Sequence, residues 1–330
     1  MTLRLLLIRH GLSSFNRENR IQGRNDLSKL TDEGIKQANK VGKALQGIKL
    51  TSVYSSPLQR AAETARELLR EKRDASQIFF ETDLLEVDLA QWAGMTSMEI
   101  KEKYPEEFHV WRKNPNDLIL KKDDGTTFKP IESLFTQAER FLKKLIETHN
   151  LEEEHTVLIV GHNAILRCLI MQLLNKPLQG IRRIKLDNAS ISILNLNPSN
   201  KQSYNVQIES LNSTTHIKNQ LPKKGQGARL ILVRHGETNW NKQGRFQGQI
   251  DIPLNSNGKN QAMAAGNFLQ TVPINKAFSS SMARPLETAK IILNSQPNLQ
   301  ISLEKELIEI SHGDWEGKLE SEIKEDWESL

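Results

Sequence analysis

The stretch LRLLLIRHG, Leu3 to Gly11, and its echo RLILVRHG, Arg229 to Gly236, decide how this chain is built. Each is a continuous apolar run of the kind that suits a strand buried on both faces, and each ends in Arg-His-Gly. The echo continues in order: Asn16 returns as Asn241, Gln22 and Gly23 as Gln247 and Gly248, Arg60 as Arg284, Glu86 as Glu309, and Trp92 as Trp315. A period this long is a domain duplication, not a solenoid repeat.

The second copy is expected to be partial. The first goes on to a further apolar strand and turn, TVLIVGHN from Thr156 to Asn163, whose counterpart would fall beyond Leu330. The boundaries read as a complete domain over 1–211, a polar linker rich in Pro, Gly and Lys over 212–228, and an N-terminal half-domain over 229–330.

Composition narrows the function classes. With 45 basic against 40 acidic residues the formal charge is +5, a weak pull toward an anionic ligand. No zinc finger, P-loop or aromatic-basic platform supports nucleic-acid binding. No apolar run reaches the roughly 18 residues of a membrane span. The single cysteine, Cys168, excludes an internal disulfide framework and, with no signal-peptide pattern, points to the cytoplasm. Nothing in the sequence reports an oligomeric state.

Strand-like and helix-like segments alternate along the first copy. Thr31 caps a helix running through Gln37, Val41 and Leu45. A short strand, Ser52 to Tyr54, precedes a helix in which Ser56 is the cap and Pro57 the first helical residue. The polar stretch from Glu86 to Pro130 reads as a cap over the sheet. A buried strand (Thr156 to Val160), a helix from about Ala164 to Leu174 and two closing strands follow. The pattern is that of a three-layer α/β sandwich with a mostly parallel central sheet.

In such sheets ligands bind beyond the carboxyl ends of the strands, so His10 and His162 should face one crevice. Arg9 and Arg60 can each offer paired donors to phosphate oxygens, and amides at a helix N-terminus favour an anion. A phosphoryl group is the ligand these groups fit best. No cluster has metal-ligand spacing.

Arg9-His10-Gly11 followed in order by Asn16, Gln22-Gly23, SSPLQRAAET, LLEVDLAQWAG and Gly161-His162-Asn163 resembles the histidine phosphatase superfamily, in its phosphoglycerate-mutase-like branch. That resemblance implies the fold just described and assigns roles. His10 would be the nucleophile that becomes phosphorylated. Arg9, Arg60 and His162 would complete the phosphate pocket, Asn16 would reach the phosphate from its loop, and Gln22, Gly23 and Asn163 would contact substrate. Glu86 would give a proton to the leaving group, which calls for surroundings that keep it protonated; Trp92 and neighbouring anions are the expected source.

The implied activity is a metal-independent phosphatase acting on a small phosphorylated metabolite. One alternative is a phosphoglycerate mutase, the only case needing 2,3-bisphosphoglycerate as cofactor; another is a non-catalytic phosphate-binding or regulatory module. The short span from Glu86 to His162 and the stretch EVDLAQWAG favour the phosphatase. Two departures stand out: Leu12 and Ser13 beside the expected phosphate site, where copy two has Glu237 and Thr238, and Ala90, where copy two has Gly313. In copy two Arg234, His235, Asn241, Arg284 and Glu309 would be a vestigial site without a second histidine.

Overall fold

The structure is a computed structural model that describes residues 2–122, 124–149, 153–200 and 203–327. The chain divides into two compact units, Met1–Lys218 and Asn219–Leu330.

The first unit is built on a six-stranded sheet. Its elements in chain order are β1 (Leu3–Arg9), α1 (Ser14–Arg17), α2 (Asp32–Ala44), β2 (Ser52–Ser55), α3 (Gln59–Lys72), β3 (Ile78–Phe80), α4 (Ser97–Lys103), α5 (Pro105–Lys113), the two-residue strands β4 (Leu120–Lys121) and β5 (Thr127–Phe128), α6 (Pro130–Thr148), β6 (His155–Gly161), α7 (Asn163–Leu173), β7 (Ile191–Asn200) and β8 (Ser203–Ser213). The strand order is β3-β2-β6-β1-β7-β8. The first four strands in that order are parallel, β7 pairs antiparallel with β1, and β8 pairs antiparallel with β7.

The apolar run that opens the chain becomes the middle of this sheet because its residues alternate between two cores. Leu3, Leu5 and Leu7 pack with Phe141 and Leu145 of α6 and Leu166 and Leu169 of α7. Leu6 and Ile8 point the other way, to Val41 of α2 and Ala61, Ala65 and Leu68 of α3. β1 and β6 run side by side with Arg9 opposite Gly161, so their ends deliver His10 and His162 to the same edge. The loop after β1 lies against the start of α2 through two glycines. A Cβ on Gly11 would meet the carbonyl oxygen of Gly34 at 2.5 Å, and one on Gly34 would meet that of Leu12 at 2.2 Å. Thr31 caps α2 as expected, its hydroxyl accepting from the Gly34 amide at 3.0 Å.

Three expectations are corrected. The first unit does not end at residue 211: β8 runs to Ser213, Ile217 is buried in the core beneath α2, and Asn212 Oδ1 accepts from the Asp187 amide at 2.6 Å, so 212–218 belong with the sheet. The helix after β2 begins at Gln59, later than Pro57, because Ser56 is drawn into the site described below. The sequence gives His149 no partner motif and so predicts a surface residue, but it is buried at the end of α6, its Nε2 3.0 Å from the Ser52 hydroxyl.

The second unit contains α8 (Asn239–Gln243), α9 (Ser256–Leu269), β9 (Ala277–Ser279), α10 (Ala283–Ile292), β10 (Ile301–Leu303) and α11 (Glu320–Trp327). β9 and β10 pair in parallel, as β2 and β3 do in the first unit. The echo of β1 behaves differently. Leu230 to Val233 join no strand ladder among the described residues, and Leu230 and Leu232 are 85% and 91% exposed. In the first unit β1 is hydrogen-bonded to β6 on one side and β7 on the other, and the described residues of the second unit supply neither partner.

Candidate active site

A cavity of about 560 Å³ opens at the carboxyl ends of β1 and β6. Of the residues singled out from the sequence, Arg9, His10, Asn16, Gln22, Gly23, Arg60, Glu86 and Asn163 line it. His162 stands directly behind, fully buried, its ring 5.2 Å from that of His10.

The orientation of His10 follows from its neighbours. Nδ1 lies 2.8 Å from the carbonyl oxygen of Gly11. A carbonyl only accepts, so Nδ1 carries the proton and the neutral ring keeps its lone pair on Nε2. Burial first, then Arg60 and Arg9, hold the His10 imidazole well below the usual histidine range. It is therefore neutral at pH 7. The backbone that carries it is equally constrained: the His10 amide donates to Gly161 O at 2.9 Å, and the Gly11 amide to the Thr64 hydroxyl at 3.1 Å.

Arg60 enters from the first turn of α3 and is fully buried. Its terminal nitrogens donate to the carbonyls of Asn25 at 3.0 Å and Gly23 at 2.9 Å, and Nε is buried without a partner. Each terminal nitrogen thus spends one of its two N–H groups on the loop that carries Gly23 and Asn25, and the Nε–H stays free for an oxygen of an anion. Arg9 is arranged alike, with one terminal nitrogen on Leu186 O at 2.7 Å and a buried, unpartnered Nε. Burial lowers both guanidiniums to about 10, far enough above neutrality for both to stay charged.

His162 contacts the Ser56 hydroxyl through Nε2 at 2.8 Å, and its Nδ1 is buried and unpartnered. If Ser56 donates to Nε2, Nδ1 carries the ring proton and becomes a donor with no acceptor. Asn16 is fixed by acceptance: Oδ1 receives the Asn188 amide at 3.0 Å and lies 3.0 Å from the Ser13 hydroxyl, which leaves its Nδ2 for a ligand. Donors thus converge on a cavity that contains an anion's worth of unsatisfied N–H groups.

Glu86 is held by the N-terminus of α7. Its carboxylate accepts from the amides of Val87 at 2.9 Å, Ala164 at 3.1 Å and Ile165 at 3.3 Å. The surroundings expected from the sequence are not found. Trp92 packs in the cap core against Trp111 and Tyr104, and the charges that Glu86 acts on are those of Arg9, Arg60 and Arg167. Its neighbours are donors and cations, not anions.

The departures at Leu12 and Ser13 leave the cavity lining untouched, as neither residue is part of it. Ser13 does what Thr238 does in the second unit, its hydroxyl reaching Gln22 Oε1 at 2.9 Å as Thr238 reaches Gln247 Oε1 at 2.8 Å.

Several residues escaped the sequence reading. Asn188 braces the loop by donating to His10 O at 3.1 Å and Gly11 O at 3.2 Å, and nothing in its sequence context announces it. Arg167 and Arg182 also line the cavity. For Arg167 a signal existed, because it is the one charged residue in the apolar helix NAILRCLIMQL.

In the second unit, Arg284 is buried and bound to Ile250 O at 3.0 Å and Gly248 O at 2.7 Å, and His235 Nδ1 lies 2.8 Å from Gly236 O. There the Arg284 Nε donates to His235 Nε2 at 3.3 Å. Arg234 and Glu309 are exposed, and Asn241 caps α8 with Thr238.

A 2-carboxy-D-arabinitol-1-phosphatase from Triticum aestivum is 31% identical over 298 residues, spanning 89% of this chain and 58% of that protein. The chain thus spans about three-fifths of the length of such curated relatives. Phosphoserine phosphatase 1 of Hydrogenobacter thermophilus is 31% identical over 215 residues, 65% of this chain and 94% of its own. Among solved structures, Bacillus stearothermophilus YhfR superimposes with a TM-score of 0.57 at 27% identity, covering 66% of this chain and all of YhfR. A phosphoserine phosphatase from Entamoeba histolytica, solved with 3-phosphoglyceric acid, does so with 0.52 at 26% identity, covering 65% of this chain and 99% of its own. The family model of the histidine phosphatase superfamily, branch 1, matches twice, at residues 5–208 and again at 230–330, and the chain belongs to that family.

Proposed function

We propose that the first copy hydrolyses phosphate monoesters of small metabolites through a phosphohistidine on His10, and that the second copy is not catalytic. The observation that carries this reading is the placement of one imidazole lone pair, His10 Nε2, in a cavity where the buried Nε–H groups of Arg9 and Arg60 have no partner.

In this reading the Nε2 lone pair attacks phosphorus while the bond to the leaving oxygen breaks. Arg9, Arg60, Asn16 and His162 cancel charge on the phosphoryl oxygens, the main requirement of phosphoryl transfer, and no metal is needed for that. The phosphoryl group brings the negative charge that favours a protonated Glu86, which gives its proton to the departing alkoxide. Glu86 then takes a proton from water, the water oxygen attacks phosphorus, the P–N bond breaks, and inorganic phosphate leaves. Cys168 is a poor rival nucleophile, since burial pushes its thiol far up. Its free, buried state accords with a cytoplasmic site of action.

For the second copy one contact favours a non-catalytic role. The Arg284 guanidinium donates to His235 Nε2, the atom that would have to attack. A phosphate-binding or regulatory module fits that geometry.

The test is a panel of metabolite phosphates assayed for phosphate release with and without 2,3-bisphosphoglycerate. Release without the additive, abolished by His10→Ala, supports the phosphatase. Phosphoryl exchange that depends on 2,3-bisphosphoglycerate identifies a mutase instead, and no turnover of either kind overturns both.

A further inference from the structure

Asn188 acts on the active site from outside its lining. It does not border the cavity, yet its side-chain nitrogen donates to three acceptors there: the backbone oxygens of His10 at 3.1 Å and Gly11 at 3.2 Å, and Asn16 Oδ1 at 3.0 Å. An NH2 group has two hydrogens, so the two carbonyls share one and Asn16 takes the other.

Those carbonyls fix which way both amides face. A backbone carbonyl only accepts, so the Asn188 atom beside it is the nitrogen, and the Asn16 atom that this nitrogen meets is the oxygen. Asn16 Nδ2 is thereby turned away from Asn188, on a residue that lines the cavity. The second copy shows the other arrangement. There Asn241 Oδ1 accepts from the Thr238 amide at 3.1 Å and closes a capping box on α8. In the first copy the Ser13 hydroxyl still accepts from the Asn16 amide at 3.3 Å, but the Asn16 oxygen is drawn to Asn188.

The loop that carries Asn188 is itself pinned. The Ala189 amide donates to Arg9 O at 3.0 Å and His10 O at 3.1 Å, His216 Nε2 lies 3.0 Å from Ala189 O, and Asn212 Oδ1 accepts from the Asp187 amide at 2.6 Å. Ala189 has φ 54°, a left-handed backbone that a residue with a Cβ holds only where its surroundings impose it.

We infer that Asn188 is a positioning residue for the reaction at His10: through Asn16 it makes an N–H, not a carbonyl, face the phosphoryl oxygens, and it ties that orientation to the backbone of the nucleophile. This deepens the proposed function and rests on it for the place of the phosphoryl group. A turned Asn16 would set an oxygen lone pair against an anion.

The experiment uses the 330-residue chain, a phosphate monoester that the wild type hydrolyses, and inorganic phosphate as the binding probe. Asn188→Ala should lower kcat/KM by about 10- to 100-fold, the worth of a hydrogen bond to a charged group. In an Asn16→Ala background the same substitution should cost less than about threefold, because the group it acts through is gone. Losses that multiply across the two substitutions would mean that Asn188 only supports the fold, and would overturn the inference. Asn188→Asp keeps the shape without the donor, so its loss should match or exceed that of Asn188→Ala; an Asp variant as active as wild type overturns the inference too. A third measurement does not depend on the variants folding: in wild type the side-chain amide signals of Asn16 should shift at saturating inorganic phosphate, and unshifted signals would remove its contact with the anion and with it the role of Asn188. If no ester is hydrolysed but Asn188→Ala weakens phosphate binding and does so only while Asn16 is present, the hydrolytic reading fails and the positioning role stands. If Asn188→Ala hydrolyses esters at the wild-type rate, the positioning role fails and the hydrolytic reading stands.

Discussion

The two copies keep the same loop and differ in what stands behind it. In both, the histidine Nδ1 lies 2.8 Å from the carbonyl of the next glycine, and that glycine's amide donates at 3.1 Å to a threonine on the following helix. In both, the helix arginine is tied by its two terminal nitrogens to loop carbonyls. The tight glycine contact recurs too, with a Cβ on Gly236 meeting Gly258 O at 2.4 Å. The loop after the histidine is thus a local construction of the N-terminal half. What closes the site in the first copy comes largely from the other half: His162, the Ala164 and Ile165 amides on Glu86, Arg167, and the strands β6 and β7 beside β1. Among the described residues of the second unit, Arg234 and Glu309 are exposed and Leu232 faces solvent.

The comparison breaks most directly at the nucleophile. His10→Ala should lower phosphatase activity by on the order of 10³ or more, as loss of a nucleophile does, while His235→Ala leaves it within about twofold. Phosphate release by the two variants of the 330-residue chain, with circular dichroism to check folding, decides. A comparable loss from His235→Ala would mean that the second copy completes a site with groups from another source.

Glu86 and Glu309 occupy equivalent sequence positions, yet among the described residues Glu86 accepts from three amides and Glu309 from that of Ile310, at 3.0 Å. Glu86→Gln keeps an acceptor for those amides and removes the transferable proton. Hydrolysis of alkyl phosphates should fall by roughly 10² or more, the usual worth of general acid catalysis. p-Nitrophenyl phosphate, whose leaving group departs without protonation, should lose far less. Glu309→Gln should change neither rate, and equal losses on both substrates from Glu86→Gln would remove the general-acid role.

Legibility followed sequence locality. Arg-His-Gly, Gln22-Gly23 and the serine-rich entry to α3 could be read because each is a contiguous signature, and the alternating apolar run settled the sheet. Asn188 could not be read, since its role exists only because β7 returns beside β1. The surroundings of Glu86 are hidden from the sequence for the same reason: two of the amides that hold it lie 78 and 79 positions away along the chain, on α7. Composition places the start of the linker too early because it reports the polarity of 212–218 and not the core that buries Ile217.

Protonation sharpens the contrast between copies. His10 and His162 are fully buried beside Arg60 and Arg9 and are held well below the usual histidine range, while half-buried His235 is lowered to a lesser degree. A folded-state value below the unfolded one means that the unfolded chain binds more protons as pH falls through 6.5. Each such histidine therefore stabilises the fold above that pH, and its contribution is lost on acidification at up to about 1.4 kcal/mol per pH unit. Ring chemical shifts should show His235 titrating first, with His10 and His162 still neutral. Denaturant melts of the first unit should weaken from pH 7 to 5, and less steeply in His10→Ala. A His10 ring that titrates near 6.5 would contradict its burial.

The smallest expected effect tests a single backbone position. Ala90 has φ 44°, in the left-handed region where a Cβ costs roughly 1–2 kcal/mol, and its counterpart Gly313 has φ 56°. The turn is needed in both copies because it directs the chain from the glutamate to the buried tryptophan in the first and to its counterpart in the second. In the first copy the Ala90 amide is also held by Asp88 Oδ1 at 3.0 Å. Ala90→Gly relieves the Cβ but gives the unfolded chain more freedom, an opposing term of about 0.5–1 kcal/mol. The net should be a stabilisation of about 0.5–1 kcal/mol with unchanged activity, and Gly313→Ala should destabilise the second unit by a similar amount. Urea midpoints of the two variants check both signs. A destabilised Ala90→Gly would mean that the alanine methyl makes a packing contact worth more than the strain it causes.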